Sequence, residues 1–192
     1  MTAQITDQYT YKGEEYSIIT MTESIEFDPE QYGFHPEAPH TACWRGYWCE
    51  FLITDEALLL DTLHIYSGDH DYPEFNGVQP QASKEEWDDM ATYYGLNFPI
   101  DYSGSIVLGS GFLERYYIHM GFQRAWAYEN VIELVFKHGR VTDRKDHGET
   151  VAKIREEIDR DPEGFRDRLH ADIPRFVDNS FSLDTSIKAW WI

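Results

Sequence analysis

WRGYWCEFLITDEALLLDTLHI, residues 44–65, reads as two strands folded back on each other. Residues 44–53 are aromatic and β-branched, a composition that fits a pleated, half-buried surface. Thr54, Asp55 and Glu56 form a tight loop, and residues 57–65 return as the partner strand. Successive side chains on a strand point to opposite faces. Tyr47, Cys49, Phe51 and Ile53 therefore share one face, and Trp48, Glu50 and Leu52 the other. Both faces are largely apolar, so the hairpin is expected at the centre of a sheet. Gly46 marks a bulge or the close approach of another backbone.

Working upstream, residues 9–13 and 15–20 read as a hairpin turning at Lys12-Gly13. Asp28-Pro29 starts a turn, and Gly33, Pro36 and Pro39 keep residues 32–40 irregular. Downstream, residues 67–82 form a long loop rich in Gly, Pro, Asp and Asn. Ser83 to Glu86 has the capping-box pattern, and Trp87, Met90 and Tyr94 follow on one stripe before Gly95. That spacing predicts a mid-chain helix. Residues 103–108, 112–119, 130–136 and 140–144 are strand candidates, with Gly109-Ser-Gly111 and His138-Gly139 as turns. Val151, Ile154 and Ile158 then recur at helical spacing, and Asp161-Pro162 opens a second helix carrying Phe165 and Leu169. A tail ending in Trp190-Trp191-Ile192 is expected to dock on the body, since apolar surface of that size is not left bare.

Strands arriving as hairpins rather than as βαβ units imply one α+β domain spanning residues 1–192. Its sheet is expected to be mostly antiparallel, with about seven to nine strands, one mid-chain helix and two C-terminal helices. There is an internal echo: residues 47–53 and 130–136 each carry a Glu at their fourth position, Glu50 and Glu133, among apolar residues. The hairpins around 44–65 and 130–144 are thus candidates for a duplicated unit.

Thirty-five acidic residues against sixteen basic ones give a formal charge of -19. That balance argues against binding nucleic acid or an anionic membrane, both of which need Lys and Arg. It favours a basic protein partner and a monomer or small homo-oligomer. At 42% hydrophobic and 16% aromatic residues, the chain has enough apolar material to escape disorder. No signal-peptide pattern opens it and no stretch reaches the ~20 apolar residues of a membrane helix, so a cytoplasmic location is expected. Cys43 and Cys49 then read as reduced core thiols rather than a disulfide or a metal pair.

Catalytic motifs are sparse. Glu50 and Glu133 are a candidate carboxylate pair for hydrolysis, if they meet in space; the competing expectation is that each pairs with an arginine, Arg45 for one and Arg124 or Arg140 for the other. His64, Asp69, His70 and Asp71 are the densest ligand-like group, yet they match no known metal spacing. There is no nucleophile elbow and no phosphate-binding glycine loop, so no cofactor or metal is expected. Trp44, Arg45 and Trp48 are residue types that dominate binding hot spots. With Glu50, Asp69, Asp71 and Tyr72 they make the candidate binding set.

The segment Thr41-Ala-Cys-Trp-Arg-Gly-Tyr47, followed by a Glu-Phe strand and a Leu-Leu-Leu strand, resembles a motif in small uncharacterised bacterial proteins, some associated with the immunity proteins of polymorphic toxin systems. Gly104, residues 117–119, residues 121–123 and Glu133-Leu134 extend the resemblance over most of the chain. It implies a context, not a mechanism: an acidic immunity-like protein or antitoxin that inhibits a basic partner, a toxin in that setting. The alternatives are a hydrolase using Glu50 and Glu133 or the His64–Asp71 group, and a DNA-mimic inhibitor.

Overall fold

In the computed structural model, which describes residues 2–23, 27–83 and 89–171, ten strands form one sheet. They are β1 (Gln8–Tyr11), β2 (Glu14–Met21), β3 (Tyr47–Ile53), β4 (Leu58–Ile65), β5 (Gln81–Ala82), β6 (Ala91–Tyr93), β7 (Phe98–Ile100), β8 (Gly104–Phe112), β9 (Tyr128–Lys137) and β10 (Arg140–Asp146). Their order across the sheet is β10-β9-β8-β2-β1-β3-β4-β6-β5, with β7 also on β4. All pairings are antiparallel except β1 with β3. Two helices follow, α1 (Gly148–Arg160) and α2 (Pro162–His170).

Local chemistry explains the tight turns. Lys12 and Gly13 have φ of 53° and 81°, and His138 and Gly139 have 51° and 74°. Two consecutive positive φ values make the turn whose twist matches paired strands. Gly139 has a second reason to lack a side chain, because a Cβ there would lie 2.7 Å from the Ile100 carbonyl oxygen. The β9–β10 tip is pressed against β7. It also reaches the β3–β4 tip, where Arg140 pairs with Glu56. The two ends of the sheet thus curl toward each other.

The concave side encloses the main core. Cys49, Phe51 and Ile53 of β3 meet Leu58, Leu60, Leu63 and Ile65 of β4, Tyr9 of β1 and Leu134 and Phe136 of β9 there. The convex side carries a second cluster, in which Ile19, Val107 and Val131 are covered by Val151, Ile154 and Ile158 of α1 and by Phe165 of α2. The Asp161 side chain caps α2 by accepting from the Gly164 N–H at 3.0 Å.

Several expectations are corrected. The predicted mid-chain helix does not occupy Ala91–Tyr93, which is strand β6 with Leu63 opposite Tyr93. Residues 84–88 of that segment, including Trp87, lie outside the described residues. An apolar stripe at helical spacing lost here to the free edge of β4, which buries Tyr93 completely. Residues 113–119 are not a strand but a 3₁₀ turn at Glu114–Tyr116 and irregular chain. Gly109-Ser-Gly111 does not separate two strands, because β8 runs through it and β9 pairs with Gly109, Ser110 and Phe112. The Tyr128 ring fills the space a side chain at Gly109 would take. Strand β7, interrupted by Pro99, was not expected; as an edge strand it tolerates the missing donor. The Trp190-Trp191-Ile192 tail lies outside the described residues.

Candidate functional site: the convex face of β3, β4 and β6

Strand β3 begins at Tyr47, because Gly46 leaves extended backbone with φ of 75°. A side chain at Gly46 would strike the Glu37 backbone at 2.6 Å, the close approach that this glycine implied. Alternation then holds through the strand. Cys49, Phe51 and Ile53 enter the core, while Trp48 and Leu52 are half-buried and Glu50 is exposed on the other side. Register shows which side that is. Glu50 lies opposite Gln8, Gln8 opposite Ser17, Ser17 opposite Gly109 and Gly109 opposite Val131. Residues in one such row share a face. Trp48 and Glu50 therefore stand on the convex side, the side α1 covers further along the sheet. The helix-covered cluster contains no residue of β1, β3 or β4.

On this face Trp48 stacks on His64, with ring centroids 4.6 Å apart and planes at 12°. His64 Nε2 lies 2.8 Å from Glu50 Oε1 and Nδ1 lies 3.1 Å from Thr92 Oγ1. Nε2–H donates to Glu50, and Nδ1 shares a hydrogen bond with the Thr92 hydroxyl. Both nitrogens are satisfied and the ring is locked beneath the indole. Tyr94 stands edge-on to His64 at 6.3 Å and is 52% exposed. Tyr66 lies 6.4 Å from Trp48. The Glu50 side chain is 49% exposed while that of His64 is 11% exposed. The result is a rigid aromatic plate with a solvent-facing carboxylate at its side. Ring faces and a carboxylate both attract guanidinium and ammonium groups.

The other candidate binding residues are placed differently. Trp44 sits on the turn before β3, 53% exposed, its N–H donating to Gln4 Oε1 at 3.3 Å. Arg45 is held internally: its guanidinium donates to both Asp7 oxygens, at 3.0 and 2.7 Å, and covers the Tyr47 ring. Burial opposes its charge, but the Asp7 carboxylate outweighs that and raises its pKa. Asp69 and Asp71 are exposed in the loop after β4. Asp69 accepts from Ser67 Oγ at 2.6 Å and from the Asp71 N–H, which together lower its pKa. Tyr72 ties that loop down, accepting from the Ser67 N–H at 3.2 Å and donating to the Asp89 carbonyl. Sequence reasoning missed Asp7, Thr92, Tyr94 and Tyr66 as partners in this region. The first three come from segments whose neighbours only the fold defines.

The catalytic candidates do not assemble. Glu50 on β3 and Glu133 on β9 are separated by β1, β2 and β8, about 19 Å along the sheet at ~4.8 Å per strand. Glu133 is also unsuited to general acid work. Burial pushes its pKa up, but hydrogen bonds from His147, Ser105 and Lys145 outweigh that and lower it. The expected arginine partners are engaged elsewhere: Arg45 with Asp7, Arg140 with Glu56, and Arg124 buried before a 3₁₀ turn. His64 faces Glu50 rather than Asp69, His70 or Asp71. Among the described residues no group of three or more His, Cys, Asp or Glu is placed to hold a metal ion.

Cys43 and Cys49 are buried and unbridged, and burial raises both thiol pKa values. A thiol held protonated is a poor nucleophile. Neither is expected to react with a disulfide reagent in the native state at neutral pH, and both should react on unfolding. Native labelling of Cys49 within minutes would contradict its placement in the core.

No family model, no curated protein and no solved structure matches this chain. Among the described residues no helix is long and apolar enough to cross a membrane.

Proposed function

We propose that this protein is a stoichiometric binder of a basic protein, an immunity-like inhibitor or antitoxin rather than an enzyme. The observation that carries this reading is the charge of -19. A field of that sign speeds encounter with a cationic surface and disfavours nucleic acid. The Trp48–His64–Glu50 face supports it, because it offers a pre-formed aromatic and anionic surface.

The test is capture from the native host at low and at moderate salt, followed by association kinetics with whatever is recovered. The expected result is a basic protein bound one to one. Its association rate constant should fall at least about tenfold between low and physiological salt while dissociation changes little. An acidic or neutral partner, or association insensitive to salt, would overturn the reading.

A further inference from the structure

The two echoing hairpins share more than a glutamate. In the first, Glu50 meets His64 at 2.8 Å, and in the second Glu133 meets His147 at 3.0 Å, each across a sequence separation of 14. Ile53 pairs with Leu58 as Phe136 pairs with Val141, and Glu50 with Thr62 as Glu133 with Lys145. Each return strand carries one register shift between those points. By this correspondence Trp48 occupies the place of Val131, two residues before the glutamate and on the same convex face.

The covering differs. After His147 the chain turns directly into α1, which lays Val151, Ile154 and Ile158 over the cluster containing Val131. Arg155 of α1 donates to the Tyr128 carbonyl at 2.5 Å. Glu133 and His147 are left 16% and 18% exposed. After His64 the chain instead continues as β4 to Ile65 and leaves through the loop. The equivalent face keeps Trp48 and Leu52 half-buried, Glu50 about half exposed and Tyr94 52% exposed. Glu15 stands in the row of Leu52 through Thr10 and is exposed. Among the described residues, a face built to the register of one that takes a helix is thus open, aromatic and anionic.

We infer that this open face docks an amphipathic, basic α-helix of the partner, lying over Trp48 as α1 lies over Val131, with Lys or Arg side chains reaching Glu50 and Glu15. This rests on the reading of the protein as a binder of a basic partner and adds the shape of what is bound. A helix presents apolar residues every three to four positions along one stripe, the footprint α1 already leaves on β9. Its positive charge follows from the carboxylates of the face and the sign of the whole chain.

The test uses the full chain and two synthetic Leu/Lys peptides of equal composition, about 18 residues or five helical turns long. One has leucines at helical spacing and the other alternates Leu and Lys. Binding is read at physiological salt by anisotropy, and peptide conformation by circular dichroism. The variants are Trp48→Ala and Glu50→Lys on the face, and Asp143→Lys on β10, which makes the same charge change as Glu50→Lys. Thermal melts confirm that each is folded. The helical peptide is expected to gain helicity on binding and to bind wild type and Asp143→Lys within about twofold. Trp48→Ala and Glu50→Lys should each weaken it at least about tenfold, the loss typical of a hot spot.

Equal loss in Glu50→Lys and Asp143→Lys would overturn the site in favour of diffuse charge. Preference for the alternating peptide would overturn it in favour of strand addition. Self-association abolished by Trp48→Ala, with no peptide binding, would assign the face to a second copy. No peptide binding to a monomer whose Trp48 resists acrylamide quenching would assign it to the chain's own residues 172–192. If a captured basic partner binds with the expected salt dependence and Trp48→Ala leaves it unchanged, the docking face falls while the binding function stands.

Discussion

Tyr9→Ala is expected to lower unfolding free energy by about 3–5 kcal/mol, the range for deleting a large buried aromatic. Tyr9 is fully buried on β1 and stacks on Phe51 of β3 with ring centroids 4.9 Å apart. It sits where the parallel pairing of β1 with β3 brings the N-terminal strand against the central hairpin, so a void there faces both. The conservative change runs the other way. The Tyr9 hydroxyl is buried without a hydrogen-bond partner among the described residues, and burial raises its pKa well above the ordinary tyrosine value. An unpaired buried hydroxyl costs about 1–3 kcal/mol of desolvation, so Tyr9→Phe should be neutral or stabilising by about 1 kcal/mol. Denaturant unfolding of both variants checks the pair. A Tyr9→Phe protein less stable than wild type would mean that the hydroxyl is satisfied by an internal water.

Arg45→Met should cost about 3 kcal/mol, through the carboxylate it leaves behind. Asp7 is 5% exposed and receives two guanidinium bonds and the Cys49 N–H at 2.8 Å. Removing the guanidinium strands a buried charge with one neutral donor, and breaking such pairs costs about 3–5 kcal/mol. The lower end applies because the Arg45 side chain is 36% exposed, so water screens part of the pair. Arg45→Lys should recover only part of the loss, since an ammonium cannot bridge both oxygens. The double variant Asp7→Leu/Arg45→Met should be more stable than the sum of its singles implies, because neither charge is then unpaired. Additive losses in that cycle would show that the pair contributes packing alone.

This pair also bears on how the site was legible. Arg45 stood out in the sequence as a hot-spot residue, whereas the structure holds its guanidinium against Asp7. Its partner Asp7 lies 38 residues away and outside any pattern. Trp48 and Glu50 were placed on one face by parity alone, and the structure keeps them there. Their third member, His64, was read with Asp69, His70 and Asp71 because those are its neighbours in sequence. In space it belongs to Glu50 and Thr92.

The sequence by itself determined the local features: the turns at Lys12-Gly13 and His138-Gly139, the alternation along residues 47–53, and two C-terminal helices with their cap at Asp161. Each depends on backbone preference or side-chain period within a few residues. It also determined the charge on which the functional proposal rests. The tertiary structure decided the rest. It took Ala91–Tyr93 from a helical stripe into a strand, carried β8 through its glycines, set Glu50 and Glu133 on strands far apart, and left one of two matching hairpin faces without α1. These are outcomes of strand pairing between distant segments. Burying a free edge or filling a ladder outweighs a local propensity of a few tenths of a kcal/mol per residue, and no residue carries that choice alone.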